Sequence, residues 1–325
     1  MYRKIRKLYR DPLAFFLDSD KAPLHAIGRS MFDRKSKRYL DLGNDYGDVK
    51  ISVVMTAYNT SHLIEAAVHS VLEQTHPNLE LIVVDDASTD DTVRVLRNIK
   101  YDDPRLKIFS SASNHGTYWS KNWGILHATG DYIATHDSDD ISDPNRLMMQ
   151  LGALKANPSA VACTARWRRV NDAGEELEID GRSERMAAIS LMFDRQRVTD
   201  IAGFYDSVRI SADTEFITRL EHVFGKKQVL HLRNHLYTGL LRDESLTRGE
   251  GSGFTWQEAD EGKRFTRALS GDRAAYHQAF HEWHNDPAVK NYRVGFPLKK
   301  RLFPAAENMT RGCDDQDLTQ VREVL

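Results

Sequence analysis

The chain has 325 residues, 41% of them hydrophobic, which is enough apolar material to bury a core and excludes a globally disordered protein. Its 45 basic and 47 acidic side chains leave a formal net charge of −2, so nothing electrostatic points to a nucleic acid partner. Cys163 and Cys313 are the only cysteines; they exclude a disulfide framework and fit a reducing compartment.

No apolar run approaches the ~18 residues that read as a membrane span, and no basic-then-apolar leader is present, so a cytoplasmic protein is expected. Residues 1–20 qualify that expectation. Arg3, Lys4, Arg6, Lys7 and Arg10 interleave with Ile5, Leu8 and Tyr9, and Leu13, Phe15, Phe16 and Leu17 follow. Such a segment suits the anionic inner face of a membrane as a peripheral anchor, and equally a terminal helix docked on the domain. Pro12 limits either to short helical pieces.

Residues 35–50 are polar, contain two glycines and read as a linker. The first strand is ISVVMTAYN from Ile51. HLIEAAVHSVLEQ follows with apolar residues at helical spacing, and LELIVVDD from Leu79 is the second strand. Parallel pairing of the two by a right-handed crossover is expected. Ser88 and Asp91 have capping-box spacing ahead of a helix through Val93, Leu96 and Ile99. LKIFS is a third strand, residues 116–128 a helix ended by Gly130, and DYIATHD a fourth strand. Asp143-Pro144 starts another helix.

Beyond residue 159 the rhythm loosens. AVACTARWRRV and AISLMFD read as strands, SADTEFITRLEHVFG as a helix with Ser211 as its N-cap and Gly225 just past its end, and KQVLHL as a short last strand. Spacing from Phe254 to Asn285 reads as a helix pair broken at Ser270-Gly271. The expected organisation is a basic segment and linker over 1–48, an α/β domain with a mostly parallel sheet over 49–250, and a helical extension over 251–325.

Open α/β sheets bind ligands where their strands end, and here those ends turn polar together. Thr56, Tyr58 and Asn59 close the first strand, Asp85 and Asp86 the second, and Asp137, Ser138, Asp139 and Asp140 the fourth. Carboxylates on alternate residues, Asp137 and Asp139, suit Mg²⁺ or Mn²⁺, which accept a few protein oxygens and leave positions for phosphate. An Asp-rich turn ahead of a helix has the same appearance. The second acidic pair at a neighbouring strand end favours the metal-diphosphate reading.

The ordered series SVVMTAYN, LELIVVDDASTDDT, NHGTYWSKNWGILHATGDYIATHDSDD, FYDSVRISADTEF and SLT, from about residue 51 to 247, resembles the family-2 glycosyltransferases of bacterial surface-polysaccharide type. The resemblance implies the Rossmann-like GT-A fold and an inverting, nucleotide-sugar-dependent transfer. It implies that Thr56, Tyr58 and Asp86, with Asn59 beside them, hold the nucleoside of a UDP-sugar, and that Lys121 is a basic donor-site residue. Asp137 and Asp139 would be the DxD metal ligands around Ser138, and Asp213 the general base. Many relatives carry a histidine where this chain has Arg242. An arginine cannot ligate a metal but can clamp a diphosphate; alternatively Arg242 pairs on the surface with Asp243 or Glu244.

Other features are weaker. His277 and His281 share a helical face with His284 nearby, but their polar surroundings favour a solvated face over a zinc site. The five tryptophans suit core packing. Arg166, Arg168 and Arg169 either meet an anionic acceptor or solvate a strand edge. The expected function is transfer of a sugar from a UDP-sugar to a saccharide acceptor, lipid-linked at the membrane, in capsule or lipopolysaccharide assembly. The rival readings are a catalytically inactive module that docks a partner enzyme or glycan, and a sugar nucleotidyltransferase, whose glycine-rich start is absent from TAYNTS.

Overall fold

The computed structural model describes residues 11–19, 21–242, 246–249, 252–259 and 263–324; the basic residues 1–10 lie outside them. Four parallel strands form the centre: β1 (Ile51–Ala57), β2 (Leu79–Asp85), β3 (Leu106–Ser111) and β4 (Tyr132–Asp137). Their spatial order is β4-β1-β2-β3, so the chain reverses direction across the sheet between β1 and β4, where a crevice is expected. Thr56 pairs in register with Asp137, and Ala57 with Asp85. The polar ends therefore finish level with one another.

Both faces of this centre are covered, which is why β1 and β2 are continuous apolar runs and not alternating ones. Val54, Ile82, Val84 and Ile133 pack into one core with the helices α5 (Thr117–His127), α8 (Ala212–Phe224) and α9 (Gly271–Asn285). Val53, Met55, Leu81 and Val83 pack into the other with α3 (Ile64–Leu72), α4 (Thr92–Asp102) and α6 (Arg146–Lys155). Gly124 lets α5 settle on the sheet, since a Cβ there would meet Val54 Cγ1 at 2.6 Å.

The sheet continues beyond β4 with mixed strands. β8 (Glu184–Asp194) runs antiparallel to both β4 and β6 (Ala162–Val170), and β9 (Val229–Leu240) lies parallel to β6. β5 (Ile141–Ser142) joins β9, and β7 (Glu176–Ile179) joins β6. A helix α7 (Arg195–Ile201) follows β8, α10 (Glu307–Thr310) precedes the end, and β12 (Val321–Glu323) closes the β3 edge antiparallel. Among the described residues no helix is long and apolar enough to cross a membrane.

Several sequence expectations are corrected. The polar stretch from residue 35 is no linker as far as Asp45: it completes a long helix α2 (Ala22–Asp45), which follows the short α1 (Pro12–Leu17). Gly43 and Gly152 are the reason. A Cβ on the first would strike the carbonyl of Met148 and one on the second that of Tyr39, so these glycines bring α2 and α6 into backbone contact instead of breaking a helix. Residues 254–259 and 264–269 are not helical either. They form the hairpin β10 (Phe254–Ala259) and β11 (Arg264–Leu269), with β11 parallel to β7. Its buried side is Trp256 edge-on to Phe265, above Leu177, Ile179 and Leu241. Only α9 remains of the expected helix pair. α4 begins at Thr92, with the Ser88 hydroxyl turned to Asn59. Ser211 is left-handed at φ 71° and does not cap α8 through its side chain.

Candidate functional site

The turns after β1 and β2 are fastened to each other. Asn59 N donates to Ser88 Oγ at 2.9 Å, and Asn59 Oδ1 accepts from Thr89 N at 2.8 Å. Asn59 and Ala87 are both left-handed, at φ 51° and 64°, a conformation held only where the surroundings over-determine it. Thr56 Oγ1 lies 2.8 Å from Thr117 Oγ1 at the start of α5, and the Tyr58 ring is exposed beside them.

Asp86 is buried and turned inward. Its Oδ1 accepts from His115 N at 2.8 Å and Ser120 Oγ at 3.0 Å, and its Oδ2 from Gly116 N at 2.8 Å. Burial pushes this carboxyl up, against the pull of those donors. Asp85 accepts from Ser110 Oγ with Oδ2 at 2.9 Å, while its buried Oδ1 has no hydrogen-bond partner among the described residues.

The acidic cluster after β4 is built differently. Lys121, itself buried in α5, places Nζ 2.8 Å from Asp137 Oδ1, and Asp137 N donates to the Tyr237 hydroxyl at 3.1 Å. Ser138 Oγ accepts from Thr60 Oγ1 at 3.1 Å. Arg242 Nη2 lies 2.6 Å from Asp139 Oδ2; its sequence neighbours Asp243 and Glu244, the alternative partners, lie outside the described residues. Asp140 is buried with Oδ1 on Leu240 N at 3.0 Å. Burial and the charge of Asp139 push its carboxyl well up, with Arg169 pulling the other way. One donor oxygen from each of Asp137, Asp139 and Asp140 can be chosen so that all lie within 4.8 Å of one another, the one such group among the described residues able to hold a metal ion.

Asp213 sits in the first turn of α8, where Oδ1 accepts from Thr214 N at 2.7 Å. The buried hydroxyl of Tyr118 feels the charges of both Asp213 and Asp137, and burial together with those two carboxylates pushes it well up. Lys121 Nζ stands 5.3 Å from the centre of the same ring. Tyr118 thus links the expected base to the acidic cluster. The charge of Asp213 is also felt at Arg273 and at His277, which burial and Arg273 push down to about 4.

Sequence reasoning missed several contributors. Arg169 neither solvates an edge nor faces outward: it is buried, stacked 4.2 Å from the Trp167 ring centre, and its charge acts on the acidic cluster. Tyr237 arrives from β9, whose charged stretch HLRNH hides a long strand. Arg146 is fully buried under the cluster, bonded to Thr135 O at 2.8 Å and Ser142 Oγ at 2.9 Å. Their signal was a charge or hydroxyl within an apolar segment, visible in the sequence but without an address. The three histidines of α9 do not converge on a metal. Their face is not wholly solvated either, since His284 is buried with Nε2 3.1 Å from Glu215 Oε1. Trp119 and Trp123 are core residues.

The Glycosyl transferase family 2 model matches residues 52–212, a span that holds the ends of β1, β2 and β4 and stops one residue before Asp213. Over 110 residues the chain is 37% identical to the Escherichia coli UDP-Glc:alpha-D-GlcNAc-diphosphoundecaprenol beta-1,3-glucosyltransferase WfgD, covering 34% of this chain and 43% of WfgD. Over 201 residues it is 31% identical to the succinoglycan biosynthesis protein ExoO of Rhizobium meliloti, covering 62% of this chain and 53% of ExoO. The chain thus spans about half the length of these relatives. Among solved structures, S. aureus TarS 1-349 in complex with UDP superimposes with a TM-score of 0.50 at 19% identity, over 60% of this chain and 61% of that one, a likeness in fold. The family match spans the strand ends and the relatives agree with it: residues 52–212 are a glycosyl transferase family 2 domain, on a GT-A fold.

Proposed function

We propose that the chain is an inverting glycosyltransferase of surface-polysaccharide assembly, using a UDP-sugar donor and a saccharide acceptor. The observation that carries this reading is the placement of Asp213 and Asp137 around one buried tyrosine, Tyr118, with Lys121 on its ring. A carboxylate suited to take a proton stands next to a cation-paired acidic cluster suited to a diphosphate. The names of the relatives support the classes of substrate: WfgD is named for a UDP-sugar donor and a diphosphate-linked lipid acceptor, ExoO for polysaccharide biosynthesis, and TarS was solved with UDP.

In this reading Thr56 and Tyr58 face the nucleoside. Asp86, with its carboxylate engaged by three protein donors, sets the loop that they lean on. Asp213 takes the proton from the acceptor hydroxyl as that oxygen bonds to the anomeric carbon. The bond from that carbon to the diphosphate breaks on the opposite side, and UDP leaves with the bonding electrons. One displacement inverts the anomeric centre, and no covalent enzyme intermediate forms. Lys121 and Arg242 lie where cations can meet the departing diphosphate.

The acidic cluster fits a divalent cation. Its donors are all carboxylate oxygens, and Asp137 and Asp139 each spend one oxygen on a basic side chain and keep a second. Mn²⁺ or Mg²⁺ held by Asp137 and Asp139 would offset the charge gathering on the diphosphate. Residues 1–20 fit peripheral attachment to the inner membrane face, which deletion of that segment and sedimentation with anionic liposomes tests; unchanged sedimentation overturns it.

Release of UDP from a panel of UDP-sugars, with Mn²⁺ and then chelator, tests the central reading. Metal-dependent release from one sugar, lost in Asp139→Ala, is expected. With the donor identified, Asp213→Asn should lower transfer by ~10²–10⁴-fold while UDP affinity stays within about twofold. An active Asp213→Asn removes the base assignment, and failure of UDP to bind at all returns the chain to the docking-module reading.

A further inference from the structure

A cleft of about 490 Å³ opens between the β10–β11 hairpin and the start of α9, a size that suits one or two sugar rings. Phe254 and Trp256 form one wall, Gly271 and Arg273 the other, and Arg248 lies at its edge. Arginine dominates this cleft. The Arg273 guanidinium lies 4.3 Å from the centre of the Phe254 ring, and Arg267, behind the wall, is 4.5 Å from the same centre.

Arg273 is the informative residue. It is nine-tenths buried, yet its hydrogen-bond partners among the described residues are neutral: Nε donates to Ser252 O at 2.6 Å and Nη2 to Leu246 O at 3.2 Å. Among the described residues no carboxylate pairs with it. A buried cation without a counter-ion is costly unless an anion meets it. The nearby charges make the imbalance larger. Arg267 pairs with Asp180 only at 3.9 Å and is pushed down to about 10 by burial and by Arg185, Arg169 and Arg273. Among the described residues the one acid on the cleft wall, Asp272, has Oδ2 occupied by Asn308 Nδ2 at 2.7 Å.

The cleft also adjoins the expected chemistry: α9 shares one core with α8, Tyr276 and Phe280 with Ala212 and Phe216, and Asp213 stands in the first turn of α8, so that Arg273 and, one turn further along α9, His277 both feel its charge. We infer that this cleft is the acceptor subsite and that it takes an acceptor bearing an anionic oxygen group, with Arg273 binding that group and Phe254 and Trp256 flanking the sugar. This inference rests on the glycosyltransferase reading and adds the acceptor class to it. Arginine offers paired donors that match a carboxylate or phosphate in one plane, and the aromatic rings suit the apolar face of a pyranose. Two sources carry that anion: a uronic acid carboxylate within the saccharide, or the diphosphate that links it to a lipid.

The test uses the full chain saturated with UDP and follows heat on adding three probes of similar size: a disaccharide ending in glucuronic acid, N-acetylglucosamine on a short prenyl diphosphate, and an uncharged disaccharide. At least one charged probe should bind about tenfold or more tightly than the uncharged one, a difference of ~1.4 kcal/mol, and which one binds names the source of the anion. Arg273→Gln should erase the preference, Arg273→Lys should keep part of it, and neither should move UDP affinity. If Arg273→Gln fails to fold, Arg248→Gln on the cleft edge should weaken the charged probes selectively. Equal binding of all three probes, or a preference untouched in every variant that folds, overturns the inference. Absence of UDP binding in the first step instead removes the donor reading beneath it.

Discussion

β2 and β4 both flank β1 and both end in adjacent aspartates, yet the two acidic ends are held by opposite means. At β2 the Asp86 carboxylate is taken by two backbone N–H groups and a hydroxyl at the start of α5, the end of a helix that lacks intrahelical partners for its donors. At β4 the partners are the side-chain cations Lys121 and Arg242. A carboxylate tied to backbone cannot change partners without undoing a loop. One paired with a long side chain can exchange that cation for another. The same sequence signature therefore marks a structural fastening at β2 and an exchangeable charge site at β4.

The largest consequence is for stability. Asp86→Ala strands His115 N and Gly116 N in the interior and should cost about 3 kcal/mol, read as a lower urea midpoint at constant slope. Asp139→Ala frees only a partly exposed Arg242 and should cost about 1 kcal/mol or less. Equal losses would break the distinction between the two ends.

The pH dependence sharpens it, because Glu80, at the other end of β2, is held largely by cations. Its Oε2 meets Lys107 Nζ at 2.7 Å and Lys50 Nζ at 3.2 Å, and its Oε1 meets Ser52 Oγ at 2.5 Å. Burial pushes the Glu80 carboxyl up, but the hydrogen bonds of Lys107, Ser52 and Thr129 outweigh it and hold the group well below the usual range. Its folded value is depressed, so its stabilisation is present above the ordinary carboxylate value and is lost as pH falls. Between pH ~5 and ~3 the wild type should lose about 2 kcal/mol more than Glu80→Gln. Asp86 has the opposite sign, because its folded value is raised: its contribution is greatest in acid and is lost as pH rises through that folded value. Asp86→Asn should therefore gain on the wild type with rising pH, whatever its absolute cost. Parallel curves for Asp86→Asn and wild type would remove the assignment.

These contrasts were not legible in the sequence, although much of their frame was. The runs ISVVMTA and LELIVVD declare buried parallel strands because helices cover both faces and most positions are apolar, and the polar residues after them mark the edge where these strands end. What failed were places where a residue's ordinary local meaning is overridden by a distant partner. Gly43 looked like a break and is a contact point between helices. Phe254 and Trp256 alternate over too short a stretch to outweigh the polar residues that follow them, and they form a strand only because β11 can extend the sheet at β7. Asp86 and Asp139 look alike because a sequence gives the carboxylate and withholds its donor, which lies 29 to 34 residues away in one case and 103 in the other.

The finest test of the exchange idea lies in Arg242. Its guanidinium occupies Asp139 Oδ2 at 2.6 Å, so in the proposed reading a divalent cation and Arg242 would compete for the charge of one carboxylate, while both would serve the same diphosphate. Arg242→Gln removes the competitor and keeps a hydrogen-bonding side chain. It should therefore bind Mn²⁺ alone a few-fold more tightly, on the order of 1 kcal/mol or less for a partly exposed pair, while binding UDP more weakly because one diphosphate cation is gone. Manganese titration followed by electron paramagnetic resonance gives the first quantity and calorimetry with UDP the second. At β2 the corresponding change, Ser120→Ala, removes one neutral donor from Asp86 and should leave Mn²⁺ affinity unchanged. If Arg242→Gln weakens both ligands together, Arg242 is fixing the shape of the acidic loop, and the β4 end is fastened much as the β2 end is.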